Sequence, residues 1–139
     1  MKVMCLDVGA KRIGVAVSDP TGMLARSLTV IQRRNLAAAI AEIVRLAAQE
    51  DVDRVIVGLP LTLRGEVGPQ AQLTLDFIDT LRNAVPVQVD TWDESYSTVK
   101  AAGALRSQGI KSRQQRDHID AAAAAVILQE YLDTHPKTP

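Results

Sequence analysis

Short apolar runs alternate with turn signals over the first third of the chain. The runs at residues 2–8, 13–18 and 24–31 predict three β-strands, because apolar stretches of this length between turns are typical of strands. The second and third runs are separated by Asp19-Pro20-Thr21-Gly22, a cluster that favours a tight turn. We therefore expect an antiparallel meander at this end of the chain.

The remaining sequence alternates helical and extended patterns. Helices are indicated where apolar residues recur every three or four positions, and strands where apolar residues are continuous. The predicted elements are a helix capped by Asn35, a strand at Val55–Leu59, a helix beginning at Pro69 with Leu73, Phe77, Ile78 and Leu81 on its apolar face, a strand at Pro86–Thr91, a helix from Ser97 or Thr98 to about Gln108, and a helix at Asp117–Asp133. The order predicts an α/β fold with a mixed sheet of about five strands, forming a single domain over residues 1–139.

An acidic residue interrupts the first predicted strand. Asp7 follows Val3-Met4-Cys5-Leu6, where a carboxylate is costly to bury unless something binds it. The hairpin after it carries Lys11 and Arg12 at its tip. A core-facing carboxylate beside two cations predicts a metal or phosphate site.

Further carboxylates stand at the ends of other predicted elements. Asp90, Asp93 and Glu94 surround the end of the last strand, and Asp117 and Asp120 open the final helix. Converging carboxylates repel one another without cations, and Mg²⁺ and Mn²⁺ prefer oxygen ligands of this kind. Two such ions can activate a water and stabilise the leaving oxygen of a phosphodiester.

Each of these acids except Asp7 has a plain structural interpretation. Asp117 is preferred as the N-cap of the final helix, since a capping carboxylate stabilises a helix by itself. The structural interpretation of Asp90 is that it faces solvent. The structural interpretation of Asp93 is that it caps a turn. His118, beside the acidic pair, is favoured as a surface residue.

Composition and charge bound the class of protein. The chain has 139 residues, 47% of them hydrophobic, one cysteine and no net charge, which favours a cytoplasmic globular protein without disulfides or a membrane span. The cations are segregated: residues 1–34 hold six Lys/Arg and two Asp/Glu, and residues 98–139 hold six and four. The two ends predict a basic face for nucleic acid, with an ordinary solvated surface as the alternative.

Four segments, in order along nearly the whole chain, resemble the YqgF/RuvX family. They are Asp7-Val8-Gly9-Ala10-Lys11-Arg12-Ile13-Gly14-Val15-Ala16, Val57-Gly58-Leu59-Pro60, Asp93-Glu94-Ser95-Tyr96-Ser97-Thr98 and Ile119-Asp120-Ala121-Ala122-Ala123-Ala124. The resemblance implies an RNase H-like fold with sheet order 3-2-1-4-5 and a metal-dependent nuclease related to the RuvC resolvase. The first hairpin, with Gly14, is also similar to that of actin-like ATPases and sugar kinases. We disfavour that alternative, because those proteins need a second related domain.

Carried over residue by residue, the resemblance implies Asp7, Glu94 and Asp120 as the catalytic acids and as ligands of two Mg²⁺ or Mn²⁺ ions. Asp117 is the candidate for an additional acid. Contacts to the nucleic-acid backbone are expected from a basic set, which comprises Lys11, Arg12, Arg64, Lys111, Arg113 and Arg116.

Three functions are compatible with these residues. The first is a nuclease that processes the 5′ end of precursor 16S rRNA during ribosome biogenesis. The second is a Holliday junction resolvase, which would act as a homodimer because two opposed strands are cut. The third is a non-catalytic ribosome-assembly module that binds nucleic acid. Trp92 and Tyr96 are candidates for stacking on bases, and core packing is the alternative for Trp92.

Overall fold

A five-stranded sheet with helices on both faces forms the body of the protein. The computed structural model describes residues 1–93 and 113–134, and for residues 113–120 it describes the backbone alone. The strands are β1 Val3–Val8, β2 Arg12–Ser18, β3 Ala25–Gln32, β4 Arg54–Leu59 and β5 Gln88–Asp93. The helices are α1 Leu36–Gln49, α2 Pro69–Ala84 and α3 Arg113–Thr134.

The strand order is β3-β2-β1-β4-β5. Strands β1, β2 and β3 pair antiparallel as a meander, whereas β1 pairs parallel with β4 and β4 pairs parallel with β5. The predicted mixed sheet and the order 3-2-1-4-5 are therefore confirmed. The parallel strands β1, β4 and β5 all end at one edge of the sheet, which we call the carboxyl edge.

Alternating side chains divide the core into two layers. Met4 and Leu6 of β1 pack in the layer under α1 and α2, and Val3 and Cys5 pack in the layer under α3. Because successive side chains of a strand point to opposite faces, Asp7 shares the α3 face with Val3 and Cys5. The first acidic residue thus lies at the end of β1, on the side that the last helix covers.

Helix α3 runs antiparallel to β1. Near its carboxyl end, Gln129 accepts a hydrogen bond from the backbone N–H of Ala25 at 2.9 Å. Nearer its amino end, the carbonyl of Ala121 accepts from the Ser27 hydroxyl at 3.2 Å. Ser27 lies further towards the carboxyl edge than Ala25, because it pairs with Ala16 and Ala16 pairs with Cys5. The amino-terminal half of α3 is therefore directed towards the carboxyl edge.

Two predicted boundaries were wrong. Strand β5 extends to Asp93, because β4 and β5 pair residue by residue as far as Leu59 and Asp93. Helix α3 begins at Arg113 and not at Asp117. Residues 113–116 are Arg-Gln-Gln-Arg, which are polar but are good helix formers, so the helix includes residues that were interpreted as a loop.

One predicted core position was also wrong. Leu73 is 64% exposed, while Ala71 and Thr74 take the inward positions of α2 beside Phe77. The helix predicted at about 97–108 lies outside the described residues. Among those that are described, no helix is long and apolar enough to cross a membrane.

Candidate functional site

Asp7 is the penultimate residue of β1 and is buried, with only 6% of its surface exposed. Glycine stands beside it on both neighbouring strands. Asp7 pairs with Gly14 of β2, and Leu6 pairs with Val57 of β4, so Gly58 is the next residue of β4 along the same edge. The carboxylate therefore has no side chain beside it on the flanking positions of the sheet.

The acids of the last helix are placed by backbone only. Asp117 is the fifth residue of α3, so the preferred interpretation of Asp117 as the N-cap was wrong. Asp120 is one residue before Ala121, whose carbonyl is bonded to Ser27 of β3. The side chains of Asp117, Asp120 and His118 are outside the described part of the structure. The backbone at Asp120 nevertheless approaches the sheet in the half of α3 that is directed towards the carboxyl edge.

The acids around β5 have different surroundings. Asp90 is partly exposed, lies 3.6 Å from Nε of Arg54 and accepts from Nε2 of Gln88 at 3.0 Å, so it faces solvent in part and also has two polar partners. Asp93 ends β5, opposite Leu59, and is exposed. It is the last residue of the strand, and the predicted cap of a turn after it involves residues outside the described part of the structure. Glu94, the next residue, is outside the described residues.

Trp92 is part of the core on the α3 face. Its ring meets the ring of Tyr131 edge-on, with 5.6 Å between centroids, and it packs against the core layer under α3. Core packing is therefore the confirmed interpretation of Trp92. Tyr96 lies outside the described residues.

The hairpin tip after β1 carries two cations at the carboxyl edge. Lys11 is exposed, and Arg12, which begins β2, is partly exposed. The tip is closed by a 2.8 Å hydrogen bond from the N–H of Gly9 to the carbonyl of Arg12. A Cβ at Gly9 would lie 2.8 Å from the same oxygen, so the turn requires glycine there.

The other predicted basic contacts are spread over two segments. Arg64 is exposed in the loop between β4 and α2, in a turn where Gly65 has a positive φ of 78°. Arg113 and Arg116 lie in the first turns of α3 and not before the helix, as the predicted start at Asp117 implied. Lys111 lies outside the described residues.

Three residues near Asp7 were not assigned to the site by the sequence analysis. Gly14 and Gly58 flank it, and the signal was available, since an isolated glycine in a strand marks a bulge or a close approach. Arg33 donates from Nη1 to the carbonyl of Gly9 at 3.0 Å. No sequence pattern distinguishes it from its neighbour Arg34.

The described residues alone do not assemble a complete metal site. Among them, no group of three or more His, Cys, Asp or Glu side chains is placed to hold a metal ion. The predicted partners of Asp7, Glu94 and Asp120, have side chains outside this set. The described geometry therefore places Asp7, the end of β5 that precedes Glu94 and the helix that contains Asp120.

Comparison with known proteins assigns the family. The RuvX family, described as "Holliday junction resolvase", matches residues 1–134. The chain belongs to the RuvX family. The resemblance that the four sequence segments carried is thereby confirmed.

Members of the RuvX family and structural neighbours are similar over almost the full chain. A protein of Chloroflexus aurantiacus named "Putative pre-16S rRNA nuclease" is 46% identical over 137 residues, which is 99% of this chain and 90% of that protein. A Myxococcus xanthus protein with the same name is 42% identical over 135 residues, which is 97% of this chain and 89% of that protein. The structure of Thermus thermophilus RuvC with a Holliday junction substrate has a TM-score of 0.61 at 19% identity, with 97% of this chain and 95% of that chain covered. The RuvC likeness confirms the RNase H-like fold.

Proposed function

We propose that this RuvX-family chain is a metal-dependent nuclease that hydrolyses phosphodiester bonds, with the 5′ end of precursor 16S rRNA as its substrate. The relatives named as pre-16S rRNA nucleases, over almost the whole chain, support the substrate. The observation that carries the chemistry is the buried Asp7 at the end of β1, on the face that α3 covers. A buried carboxylate needs a compensating cation or hydrogen bonds, and a divalent cation meets that need.

We assign Asp7, Glu94 and Asp120 as the ligands of two Mg²⁺ or Mn²⁺ ions. Glu94 directly follows β5, whose end shares the carboxyl edge with Asp7. Asp120 precedes the fully buried Ala123 and Ala124 by three and four residues, so helical spacing gives position 120 the same face of α3. Three carboxylates from three elements fit a hard divalent cation.

The acidic residues have different proposed roles in hydrolysis. Bound ions of this class supply an activated water and stabilise the leaving oxygen. Asp7 would be the central ligand, and Glu94 and Asp120 would hold the ions together with it. Asp117, one turn before the buried Ala121 on α3, is the candidate for an additional acid, since a cap role is excluded by the helix start.

The cations hold the substrate backbone. Lys11 and Arg12, at the hairpin tip four and five residues after Asp7, contact the scissile or neighbouring phosphate. The flanking backbone is held by a second group, which consists of Arg64, Lys111, Arg113 and Arg116. Contacts of this type give affinity without reading sequence.

A second substrate, a four-way DNA junction, is favoured by the family description and by the RuvC fold. Cutting a junction takes two opposed active sites and hence a symmetric dimer. Cleavage of the rRNA substrate does not require a dimer.

The cytoplasmic localisation and the single domain over residues 1–139 stay predictions.

A substrate panel tests the proposal. Purified protein is incubated with Mn²⁺, Mg²⁺ or a chelator and with matched precursor rRNA, single-stranded DNA and a four-way junction. We expect cleavage near the 5′ end of the mature rRNA sequence, only with a divalent ion. Paired cuts of the junction with no cut of the RNA would replace the first substrate by the second. Binding without cleavage of any substrate would contradict the nuclease and favour a non-catalytic assembly module.

A further inference from the structure

Arg33 joins the hairpin tip to helix α2. It is the first residue after β3, and its backbone N–H donates to the carbonyl of Lys11 at 2.8 Å. Its side chain turns back to donate from Nη1 to the carbonyl of Gly9 at 3.0 Å. One arginine therefore bonds the turn of residues 9–12 at two carbonyl groups.

The guanidinium of Arg33 is itself held by an aromatic ring. Its central carbon lies 5.3 Å from the ring centroid of Phe77, a residue of α2 that is only 2% exposed. A planar guanidinium stacks on an aromatic face and donates in its own plane, which a lysine does not reproduce. Among the described residues, no carboxylate forms an ion pair with Arg33, so its partners are the turn and the ring.

The turn that Arg33 holds begins two residues after Asp7. Gly9, Ala10, Arg33 and Phe77 also line a pocket of about 260 Å³ between the hairpin tip and α2. Without the guanidinium, the turn would lose its side-chain bond to the carbonyl of Gly9, while the backbone bonds from Gly9 to Arg12 and from Arg33 to Lys11 would remain. The turn carries Lys11 and leads into Arg12, which also pairs with Gln32 of β3.

We propose that Arg33 is a positioning residue, which fixes the turn of residues 9–12 so that Lys11 and Arg12 meet the substrate phosphate beside Asp7. The inference rests on the proposed nuclease function. Arg33 acts through the turn and not by contact with the substrate. Misplacement of a reacting or contacting group by about 1 Å costs as much as a hundredfold in rate, so loss of this support lowers catalysis more than binding.

The test compares Arg33→Ala with two neighbours. Arg34→Ala removes the same charge from an exposed neighbour with no bond to the turn, and Lys11→Ala removes a proposed phosphate contact. We expect Arg33→Ala to lower kcat at least about tenfold with KM changed less than about twofold. The salt dependence of its RNA binding should match that of Arg34→Ala, whereas Lys11→Ala should flatten the slope by about one.

A second measurement does not depend on cleavage. Amide hydrogen exchange at Gly9, followed by NMR, should be at least about tenfold faster in Arg33→Ala than in wild type or Arg34→Ala. Exchange that is equally slow in all three proteins would overturn the proposal. A salt slope in Arg33→Ala that is flattened like that of Lys11→Ala would also overturn it, because Arg33 would then be a phosphate contact.

The two proposals fail separately. If wild-type protein cuts no substrate, the nuclease function fails, and exchange at Gly9 still decides whether Arg33 holds the turn. If Arg33→Ala does not fold, Arg33→Lys takes its place under the same measurements, since it keeps the charge and loses the planar stack.

Discussion

At the scale of single residues, the position of Asp7 is explained by its two glycine neighbours and by its place on the α3 face. The sequence predicted that an acid in this strand serves a site, because a buried carboxylate is costly. It did not predict that Gly14 and Gly58 would stand on either side, since strand pairing brings them together across an intervening stretch of chain that includes β3 and α1. Nor could it single out Arg33, whose role depends on a ring in α2.

Asp19 organises the turn between β2 and β3. Its Oδ1 accepts from the backbone N–H of Met23 at 2.9 Å and of Leu24 at 3.1 Å, and its Oδ2 accepts from the Thr21 hydroxyl at 2.6 Å. The bond from Thr21 and those from the two backbone groups lower the pKa of Asp19 from 3.8 to about 2. The turn that the sequence predicted at Asp19-Pro20-Thr21-Gly22 is thereby confirmed.

The lowered pKa of Asp19 predicts how stability depends on pH. A folded pKa below the unfolded value stabilises the fold above the unfolded pKa, and this contribution is lost as the pH falls through the folded pKa. We expect wild type to be more stable than Asp19→Ala at pH 6, and the difference to shrink as the pH falls from about 4 to about 2. Urea unfolding at several pH values measures it. A difference that stays constant across this range would contradict the assignment.

At the scale of elements, side-chain contacts connect the carboxyl-terminal half of α3 to the parallel strands β4 and β5. Arg54 of β4 donates from Nη1 to the hydroxyl of Tyr131 at 2.9 Å and lies beside Asp90 of β5. The bond to Tyr131 raises the pKa of Arg54 above its ordinary value, and Asp90 acts in the same direction. Because Tyr131 also meets Trp92 edge-on, one side chain links α3 to both β4 and β5.

Tyr131→Phe tests the hydrogen bond between Arg54 and Tyr131, because it keeps the ring and removes the hydroxyl. We expect the free energy of unfolding to fall by about 1 kcal/mol, since a partly buried guanidinium loses its acceptor. Thr80→Val is the control, for it removes an exposed hydroxyl of α2 and should change stability by less than about 0.5 kcal/mol. Equal effects of the two changes in chemical denaturation would show that the Arg54 bond stabilises nothing.

Element boundaries were where prediction from sequence was weakest. The polar start of α3 was interpreted as a loop because Arg-Gln-Gln-Arg carries no apolar periodicity, although each residue is a good helix former. The end of β5 was placed too early because the ladder to β4, and not local composition, carries the strand to Asp93. The buried strand β4 and the cap at Asn35, whose Oδ1 accepts from Ala38 at 2.8 Å, were local signals and were predicted correctly.

At the scale of the whole molecule, the cations of the first 34 residues lie at two opposite ends of the sheet. Lys2 and Arg26 lie 3.3 and 3.0 Å from the carboxylate of Glu50 and are paired there. Lys11 and Arg12 stand instead at the carboxyl edge, with Asp7. Two of the six cations counted there are therefore paired with Glu50 away from the proposed site, and the basic face at the carboxyl edge stays a prediction.

The most direct test of the central claim is metal-dependent cleavage by Asp7→Asn. The substitution keeps the shape of the side chain and removes the charge that would hold the ions. Asp79→Asn makes the same chemical change at an exposed carboxylate of α2, whose side chain is 75% exposed, and serves as the control.

Cleavage of precursor rRNA is measured with Mn²⁺, together with RNA binding and the rise in melting temperature that the ion produces. We predict that Asp7→Asn folds and binds RNA, but loses at least about a hundredfold in cleavage rate and loses the stabilisation by Mn²⁺, while Asp79→Asn behaves as wild type. Full cleavage by pure, folded Asp7→Asn would contradict the account.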